Sequence, residues 1–302
     1  MSAAARPRTV LIAGPTASGK SALALDFAER LGGAVVNADS MQVYRDLRVL
    51  TARPSPADAA QVPHHLYGHV DAADAYSVGR YLADAARVIA DHPEQPLIFV
   101  GGTGLYFEAL TRGLSTISRI SEEVRARWRD RSLSATPAEL HAELARRDPE
   151  MAARLLPSDP QRLLRALEVI DATGVSLAQW QRLSGSPPVD PAAAIRIVLA
   201  VDRDVLRARI AGRFRQMVEE GALDEVRRLL ARGLDPALPA MKAIGVPQLA
   251  SFLAGESTLE AAIARAVTLS GQYAKRQETW FRNRFSDWAH LPAEAARRLV
   301  PG

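Results

Sequence analysis

Short, continuous apolar runs alternate with amphipathic stretches over most of the chain, and this pattern predicts buried strands connected by helices. Runs without polar alternation are typical of strands that are covered on both faces of a parallel sheet. Four runs fit this description: Thr9–Ala13, Ala34–Ala38, Leu97–Val100 and Ile195–Val201. Helical spacing occurs between and after them, as in Leu206, Ile210, Phe214 and Met217. We therefore predict an α/β fold with a parallel sheet flanked by helices.

The pattern changes between Ser118 and Asp190, where helix follows helix and no strand-like run occurs. We interpret this stretch as an all-helical insertion domain at 118–191, within an α/β core formed by 1–117 and 192–302. The last third of the core is predicted to be helical. Further expected elements are a surface loop at 52–63, a short strand at 64–70, a helix at 78–90, and C-terminal helices at 225–231, 241–248 and 259–284.

Composition narrows the class of protein. A chain of 302 residues with 48% hydrophobic content can bury a sizeable core. It contains no Cys, which excludes disulfides, thiolate metal sites and a cysteine nucleophile. No apolar run approaches membrane-spanning length, and residues 1–8 are too short and too poor in large apolar residues for a signal peptide. We expect a cytoplasmic protein without membrane association.

The formal net charge is +4, and Lys occurs only at positions 20, 242 and 275, so nearly all of the 38 basic residues are Arg. Guanidinium groups suit bidentate contacts with phosphate. A general bias toward Arg explains the composition equally well, so charge alone does not establish a nucleic-acid partner.

The segment between the first strand and the following helix carries the strongest chemical signal. It reads Gly14-Pro15-Thr16-Ala17-Ser18-Gly19-Lys20-Ser21 and fits the P-loop pattern G-x-x-x-x-G-K-[ST]. In such a loop, backbone N–H groups and the helix N-terminus surround phosphate oxygens. Lys20 would reach a terminal phosphate and the Ser21 hydroxyl would hold Mg²⁺. The fold is accordingly expected to be P-loop NTPase-like, with either a diphosphate or a triphosphate as ligand.

Two other strand ends are expected beside the P-loop, because the carboxyl ends of parallel strands share one edge of a sheet. Asp39 follows the second strand and either faces the ligand or caps a helix beginning at Ser40. The third strand ends in Gly101-Gly102-Thr103, where a P-loop ATPase normally carries Asp or Glu. This difference argues against ordinary nucleotide hydrolysis.

Two further groups of residues have side chains that could bind a ligand. His64, His65 and His69 lie close together, but no acidic or Cys partner stands at ligand spacing, and we favour packed or hydrogen-bonded imidazoles over a metal site. Arg209 and Arg213 lie four apart on a predicted helix, and one of them could reach the phosphates.

Four segments in combination resemble the tRNA dimethylallyltransferases, also called tRNA isopentenyltransferases. These are the P-loop, Asp-Ser-Met-Gln-Val-Tyr at 39–44, Gly-Gly-Thr-Gly-Leu-Tyr at 101–106, and Ala-Lys-Arg-Gln with Thr-Trp-Phe within 274–281. The resemblance extends to Pro-His-His-Leu at 63–66 and Asp-Pro-Gln-Arg-Leu at 159–163, and so covers nearly the whole chain. It implies transfer of a dimethylallyl group from dimethylallyl diphosphate to N6 of the adenosine immediately 3′ of a tRNA anticodon.

The resemblance also implies roles for individual residues. Asp39 would remove the proton from N6, which suits an amine whose lone pair is delocalised into the ring. Residues 14–21, including Lys20, with Mg²⁺ on Ser21, would stabilise the leaving pyrophosphate. Arg213 would also reach the diphosphate, and Thr103 would position the reacting groups.

The implied macromolecular partner is the anticodon stem-loop of tRNA. No stretch of the sequence looks like a dedicated dimer interface, so we expect a monomer. In this chain Val246 and Pro247 replace an aromatic and a basic residue of the family pattern. The tRNA contacts implied by the resemblance are Asp39, Ser40, Met41, Gln42, Thr103, Arg125, Gln161, Arg162, Leu163, Leu164, Arg165, Lys242, Ala243, Ile244, Gly245, Val246 and Pro247.

Three alternatives remain open on the sequence alone. An adenylate isopentenyltransferase would use the same crevice on free AMP, ADP or ATP. A small-molecule kinase would need ATP as donor, and the Gly-Gly-Thr strand end counts against it. A nucleotide-dependent switch or RNA-binding protein without transferase activity would not need Asp39 as a base.

Overall fold

The structure of the chain, a computed structural model, describes residues 9–115, 117, 120–183 and 185–300. The N-terminal octapeptide and Ser118, the expected first residue of the insertion, lie outside the described residues. Two compact units are present: one contains residues 1–111 and 188–302, and the other contains residues 112–187. The boundaries expected from the sequence, 118 and 191, lie a few residues further along the chain.

The first unit contains a six-stranded sheet in the order β3-β2-β4-β1-β5-β6, with every neighbouring pair parallel. The four predicted strands are confirmed to within two residues at their ends. The strands are β1 Thr9–Ala13, β2 Ala34–Asn37, β3 His64–His65, β4 Leu97–Gly101, β5 Ile195–Leu199 and β6 Ala289–Leu291.

Helices connect these strands and form the whole regular structure of the second unit within the described residues. The first four are α1 Lys20–Leu31, α2 Pro56–Gln61, α3 Val78–Asp91 and α4 Gly104–Arg112. The next five are α5 Glu122–Ser134, α6 Pro137–Arg147, α7 Pro149–Ala152, α8 Pro160–Thr173 and α9 Leu177–Arg182. The last five are α10 Arg203–Glu219, α11 Ala222–Leu230, α12 Val246–Leu253, α13 Leu259–Arg284 and α14 Ala293–Ala296, with 3₁₀ turns at Ala240–Lys242 and Arg297–Leu299.

Each face of the sheet has its own hydrophobic core, because successive side chains of a strand point to opposite faces. Along β1, Val10 and Ile12 pack into one core together with Phe27 of α1. Leu11 and Ala13 pack into the other core, whose members include Phe281 of α13. Burial on both faces explains why the strands read as uninterrupted apolar runs.

The second unit has a separate core. Trp128 of α5 packs with Leu140 and Leu144 of α6 and with Leu163 and Leu167 of α8. The Trp128 indole N–H donates to the Asp171 carboxylate at 3.0 Å, so the buried ring keeps its hydrogen bond. This unit therefore has the internal packing of a small helical domain.

Several elements differ from the sequence-based expectation. Residues 56–61 were predicted as loop and instead form α2, whose N-terminus is closed by a capping box between Ser55 and Asp58. The expected helix at 241–248 is a 3₁₀ turn followed by α12. Strand β6 was missed because it has only three residues, two of them exposed, and its main contact is backbone pairing with β5.

The histidines of the 64–70 segment are packed in the structure. His64 Nδ1 lies 2.8 Å from the Val62 carbonyl oxygen, whereas His65 Nε2 is buried without a hydrogen-bond partner among the described residues. Only His64 and His65 belong to strand β3. The His65 and His92 rings lie 4.6 Å apart between centroids, and His69 Nε2 lies 3.6 Å from Asp84 Oδ2. No helix among the described residues is long and apolar enough to cross a membrane.

Candidate active site

The P-loop joins the carboxyl end of β1 to the first turn of α1. It turns through the left-handed region at Ala17, with a φ of 62°, and at Gly19, with a φ of 90°. Gly19 is the N-cap of α1, and no side chain among the described residues caps this helix end. The first backbone N–H groups of α1 are therefore available to an anion, and the helix dipole favours negative charge there.

Lys20, at the first position of α1, is the cation closest in sequence to these N–H groups. Its Nζ atom donates to the carbonyl of Pro15 at 3.2 Å. Burial lowers the pKa of Lys20 to about 8, against an upward effect of Asp39 and a further downward effect of Arg213. The amine therefore titrates close to physiological pH.

Asp39 follows β2 and is held by an Asx turn, not as the N-cap of a regular helix. Its Oδ1 atom accepts from the Met41 N–H at 3.0 Å, while the Asp39 N–H donates to Asn37 Oδ1 at 2.9 Å. The Asn37 amide also donates to the carbonyl oxygens of Asp39 and Leu66, so a fully buried polar side chain fixes this turn. Within the described part of the chain no donor reaches Oδ2, which leaves that oxygen able to accept a proton.

The loop after β4 lies between the P-loop and Asp39, because β4 is the strand between β1 and β2. A Cβ at Gly101 would lie 2.0 Å from the Ala38 carbonyl oxygen, so the close approach of β2 and β4 requires glycine. Thr103 follows, and its hydroxyl accepts from the Ser40 N–H at 2.9 Å. Thr103 and Asp39 are thereby linked through adjacent residues.

Arg213 reaches the same place from α10. Its guanidinium donates to the hydroxyl of Thr16 in the P-loop. Burial lowers the pKa of Arg213, while the Asp39 carboxylate raises it. Lys20 and Arg213 thus form a pair of partly desolvated cations beside a single carboxylate, an arrangement that suits a polyanionic ligand.

A cavity of about 350 Å³ opens at this point. Its polar side contains Thr16, Asp39 and Arg213, and Lys242 and Arg276 add two further cations. Its apolar side is formed by Leu50, Ile210, Phe214, Met217 and Ile244. The cavity can therefore hold an anionic group and an apolar group next to each other.

Comparison with known proteins identifies the family to which this site belongs. The sequence model of the family described as IPP transferase matches residues 42–284, and that of the family described as isopentenyl transferase matches residues 7–67. The chain belongs to the IPP transferase family. Both matches together cover the P-loop, the Asp39 turn, Thr103, Arg213 and α13.

Relatives of this IPP transferase are similar to it over most of their length. It is 56% identical over 304 residues to the tRNA dimethylallyltransferase of Azorhizobium caulinodans, covering 100% of this chain and 97% of the relative. The tRNA isopentenylpyrophosphate transferase of Bacillus halodurans has a similar structure, with a TM-score of 0.64, 36% identity, and coverage of 95% of this chain and 89% of that one. A eukaryotic dimethylallyltransferase acting on tRNA matches with a TM-score of 0.79, 27% identity, and coverage of 95% and 74%.

The residues of the first unit that are expected to contact tRNA differ in where they lie in the structure. Ser40, Met41, Lys242, Ala243 and Ile244 line the cavity together with Asp39.

Other residues expected to contact tRNA lie in the loops and the core next to the cavity. Gln42 donates its amide to the Thr51 carbonyl at 2.7 Å and so holds the loop that carries Leu50. Val246 is only 1% exposed and packs in the core, so its side chain is not a contact residue, whereas Pro247 is exposed. Gly245 adopts a φ of 104°, and a Cβ there would lie 2.6 Å from Leu50.

In the helical unit the expected contact residues also divide. Arg125 on α5 and Gln161 and Arg162 on α8 are exposed, and Leu164 and Arg165 are half-buried. Leu163 has no exposed surface and belongs to the core of the unit, so its side chain is not available to RNA. The family pattern in this segment therefore includes a packing position as well as surface positions.

Three residues of α13 are part of the site but received no role from sequence reasoning. Tyr273 and Arg276 line the cavity, and Gln277 contacts two of its loops. They lie in or next to the segment 274–281, which is part of the resemblance to the family. The only signal in the sequence was their spacing: Tyr273 lies three and four residues before Arg276 and Gln277, on a helix that also buries Ala274 and Phe281.

Proposed function

We propose that this IPP transferase transfers the dimethylallyl group of dimethylallyl diphosphate to N6 of the adenosine 3′-adjacent to the anticodon of tRNA. The observation that carries the proposal is the convergence of a P-loop, one carboxylate and an apolar wall on a single cavity. A phosphate-binding loop alone would suit a kinase. A base and an apolar wall beside it suit an alkyl diphosphate donor and a nitrogen nucleophile.

Each step of the transfer has a residue suited to it. The N6 amine attacks C1 of the dimethylallyl group, Asp39 Oδ2 accepts the proton from N6, and the C1–O bond breaks with its electron pair leaving on pyrophosphate. Lys20, Arg213 and the N–H groups at the start of α1 stabilise the charge of the leaving group. Thr103, tied to Ser40 beside Asp39, positions the base.

Mg²⁺ is compatible with the residues at the P-loop. The Ser21 side chain is exposed in the first turn of α1 and has no hydrogen-bond partner among the described residues, so its hydroxyl is free to act as a ligand. The remaining ligands would be oxygens of the diphosphate and water, as is usual for Mg²⁺ at phosphate sites. A bound ion would neutralise part of the diphosphate charge.

The helical unit is proposed to contact the anticodon arm through its exposed residues. Among the described residues Arg125 has no ion-pair partner, and Arg162 pairs only with Asp159, the N-cap residue of α8, at 3.3 Å. Exposed guanidinium groups of this kind suit contacts with RNA phosphates. The names of the full-length relatives, which specify tRNA, favour this acceptor over a free adenine nucleotide.

The test is an acceptor assay with labelled dimethylallyl diphosphate, Mg²⁺ and unmodified tRNA, with AMP and ATP as parallel acceptors. We expect label in tRNA only. The Asp39→Asn variant keeps the acceptor for the Met41 N–H but cannot take up a proton readily, so we expect folded protein and a loss of turnover of about 10²- to 10⁴-fold. Label in AMP or ATP alone would instead identify an adenylate isopentenyltransferase. Full activity of Asp39→Asn would contradict its role as the base.

A further inference from the structure

Gln277 of α13 is buried and uses both ends of its side-chain amide. It is 5% exposed. Its Oε1 atom accepts from the Thr16 N–H at 3.0 Å, and its Nε2 atom donates to the Gly102 carbonyl at 2.8 Å. A Cβ at Gly102 would lie 2.1 Å from Nε2, so this contact depends on glycine at that position. Gln277 therefore joins two loops through backbone groups that lie 261 and 175 residues away.

The two loops have different tasks in the proposed reaction. Thr16 belongs to the P-loop, and its hydroxyl accepts from Arg213. Gly102 directly precedes Thr103, whose hydroxyl accepts from the N–H next to Asp39. One side of Gln277 is thus attached to the loop that would hold the leaving group. The other side is attached to the loop that adjoins the base.

The surroundings of Gln277 restrict the orientation of its amide. Tyr273, one helical turn earlier, lies close to both Thr103 and Gln277. Burial raises the pKa of Tyr273, so its hydroxyl stays protonated at neutral pH. The Thr16 N–H requires an acceptor and the Gly102 carbonyl requires a donor, so the amide can satisfy both contacts in one orientation only.

We propose that Gln277 is a positioning residue that sets the distance between the diphosphate loop and the Asp39–Thr103 loops. This inference rests on the proposed function. In the proposed reaction Gln277 contacts no reacting atom and acts through Thr16 and Gly102.

The physical reason is the geometry of displacement at carbon. The attacking nitrogen, C1 and the leaving oxygen must be close to a line, and a misplacement of 1 Å can cost about 10²-fold in rate. Because the Thr16 N–H is already bonded to Gln277, it is not among the N–H groups that hold the diphosphate. Loss of Gln277 should therefore slow the chemical step more than it weakens diphosphate binding.

The test compares three variants of the full-length chain. Gln277→Leu removes both hydrogen bonds at similar volume. Gln277→Glu keeps the acceptor for Thr16 but replaces the donor to Gly102 with a carboxylate oxygen. Gln272→Leu is the matched control, because Gln272 is exposed on the same helix. The measurements are the single-turnover rate of transfer to unmodified tRNA, the Kd for dimethylallyl diphosphate without RNA, and thermal unfolding.

We expect both Gln277 variants to lower the single-turnover rate by roughly 10- to 100-fold. The Kd for dimethylallyl diphosphate should stay within about threefold of wild type, and Gln272→Leu should leave both quantities unchanged. A purely structural role would lower the melting temperature and leave the rate of the folded enzyme intact. If Gln277→Leu does not fold, Gln277→Glu is judged by the same criteria.

Three results would overturn the inference: a rate within threefold of wild type in the folded Gln277 variants, an equal loss in Gln272→Leu, or a rise in Kd that matches the loss of rate. The last result would make Gln277 a binding residue. If the wild-type protein transfers the group to no RNA, the proposed function itself is wrong. If the wild type is active and the Gln277 variants are equally active, only the inference about Gln277 is wrong.

Discussion

At the scale of single residues, the site is governed by two cations that share one carboxylate. Burial lowers the pKa of both Lys20 and Arg213, and the Asp39 charge offsets part of this lowering for each. Without a ligand, the two positive charges outnumber the negative one in a poorly hydrated place. A diphosphate would reverse that imbalance, so the charges of the site favour an anionic ligand.

The pH dependence of diphosphate binding tests this arrangement. With a pKa of about 8, Lys20 is protonated below pH 8 and loses its proton as the pH rises through that value. A bound diphosphate raises this pKa, so the affinity is full below about pH 8 and falls above it, by at most about tenfold per pH unit. Calorimetric titration with dimethylallyl diphosphate from pH 6.5 to about 9.5 measures this effect.

The matched control is Lys20→Met, which has a similar length and no charge. We expect weaker binding with less pH dependence, because only titration of the ligand and of other groups remains. If wild type and Lys20→Met have parallel pH profiles, Lys20 does not titrate in this range and the explanation is wrong.

At the scale of elements, the close approach of β2 and β4 sets the position of Asp39 relative to Thr103. We predict that Gly101→Ala destabilises the protein, because the new methyl group would overlap the Ala38 carbonyl oxygen. Overpacking of this kind costs about 1–3 kcal/mol. Urea unfolding measures the change in free energy of unfolding.

Gly212→Ala is the control: this α10 glycine has nothing within 4 Å of its Cβ position. It should gain about 0.5–1 kcal/mol through helix propensity, and equal effects of the two substitutions would contradict the overlap.

A second element-scale contact joins α11 to the loop that carries Leu50. The Glu225 carboxylate is 4% exposed and accepts three backbone N–H groups, from Arg48, Val49 and Leu50, at 2.6 to 2.9 Å. In Glu225→Gln an amide donor would face one of these N–H groups. We predict a loss of about 1–3 kcal/mol in the free energy of unfolding, measured in urea. Glu219→Gln, at an exposed position on α10, should change it by less than about 0.5 kcal/mol, and a similar loss there would refute a specific role of Glu225.

The sequence predicted those parts of the site that follow directly from strands. Asp39 and Thr103 could be located because they come directly after buried strands, whose apolar runs are easily recognised. Strand β6 and helix α2 were missed because neither buries a recognisable apolar pattern. The role of Gln277 was also not predictable, since it depends on how α13 packs against loops more than 170 residues away. Local periodicity contains no information about such distant pairings.

At the scale of the whole molecule, the predominance of Arg gives a measurable expectation for RNA binding. If Arg125 contacts a phosphate, its loss should reduce the number of displaced counterions by one. We predict that Arg125→Ala lowers the magnitude of the slope of log K against log salt concentration for a tRNA anticodon stem-loop by about 0.7 to 0.9. Fluorescence anisotropy over a range of KCl concentrations measures this slope.

Arg129 is the matched control on the same helix. It is exposed but pairs with Glu122 at 3.1 Å, so its loss should leave the slope unchanged. If Arg125→Ala has the wild-type slope, or if both variants change it equally, Arg125 is not a specific phosphate contact.

The hydrogen bond between Gln277 and Thr16 joins residues 261 positions apart, and this separation affects when the site can form during protein synthesis. The P-loop leaves the ribosome before α13 does. At 5–20 residues per second, its partner on α13 follows on the order of tens of seconds later. During that interval the nascent chain can form β1 and α1 but cannot hold the P-loop at its final distance from Asp39. We expect the growing chain to acquire its catalytic geometry late and in one step, when α13 docks.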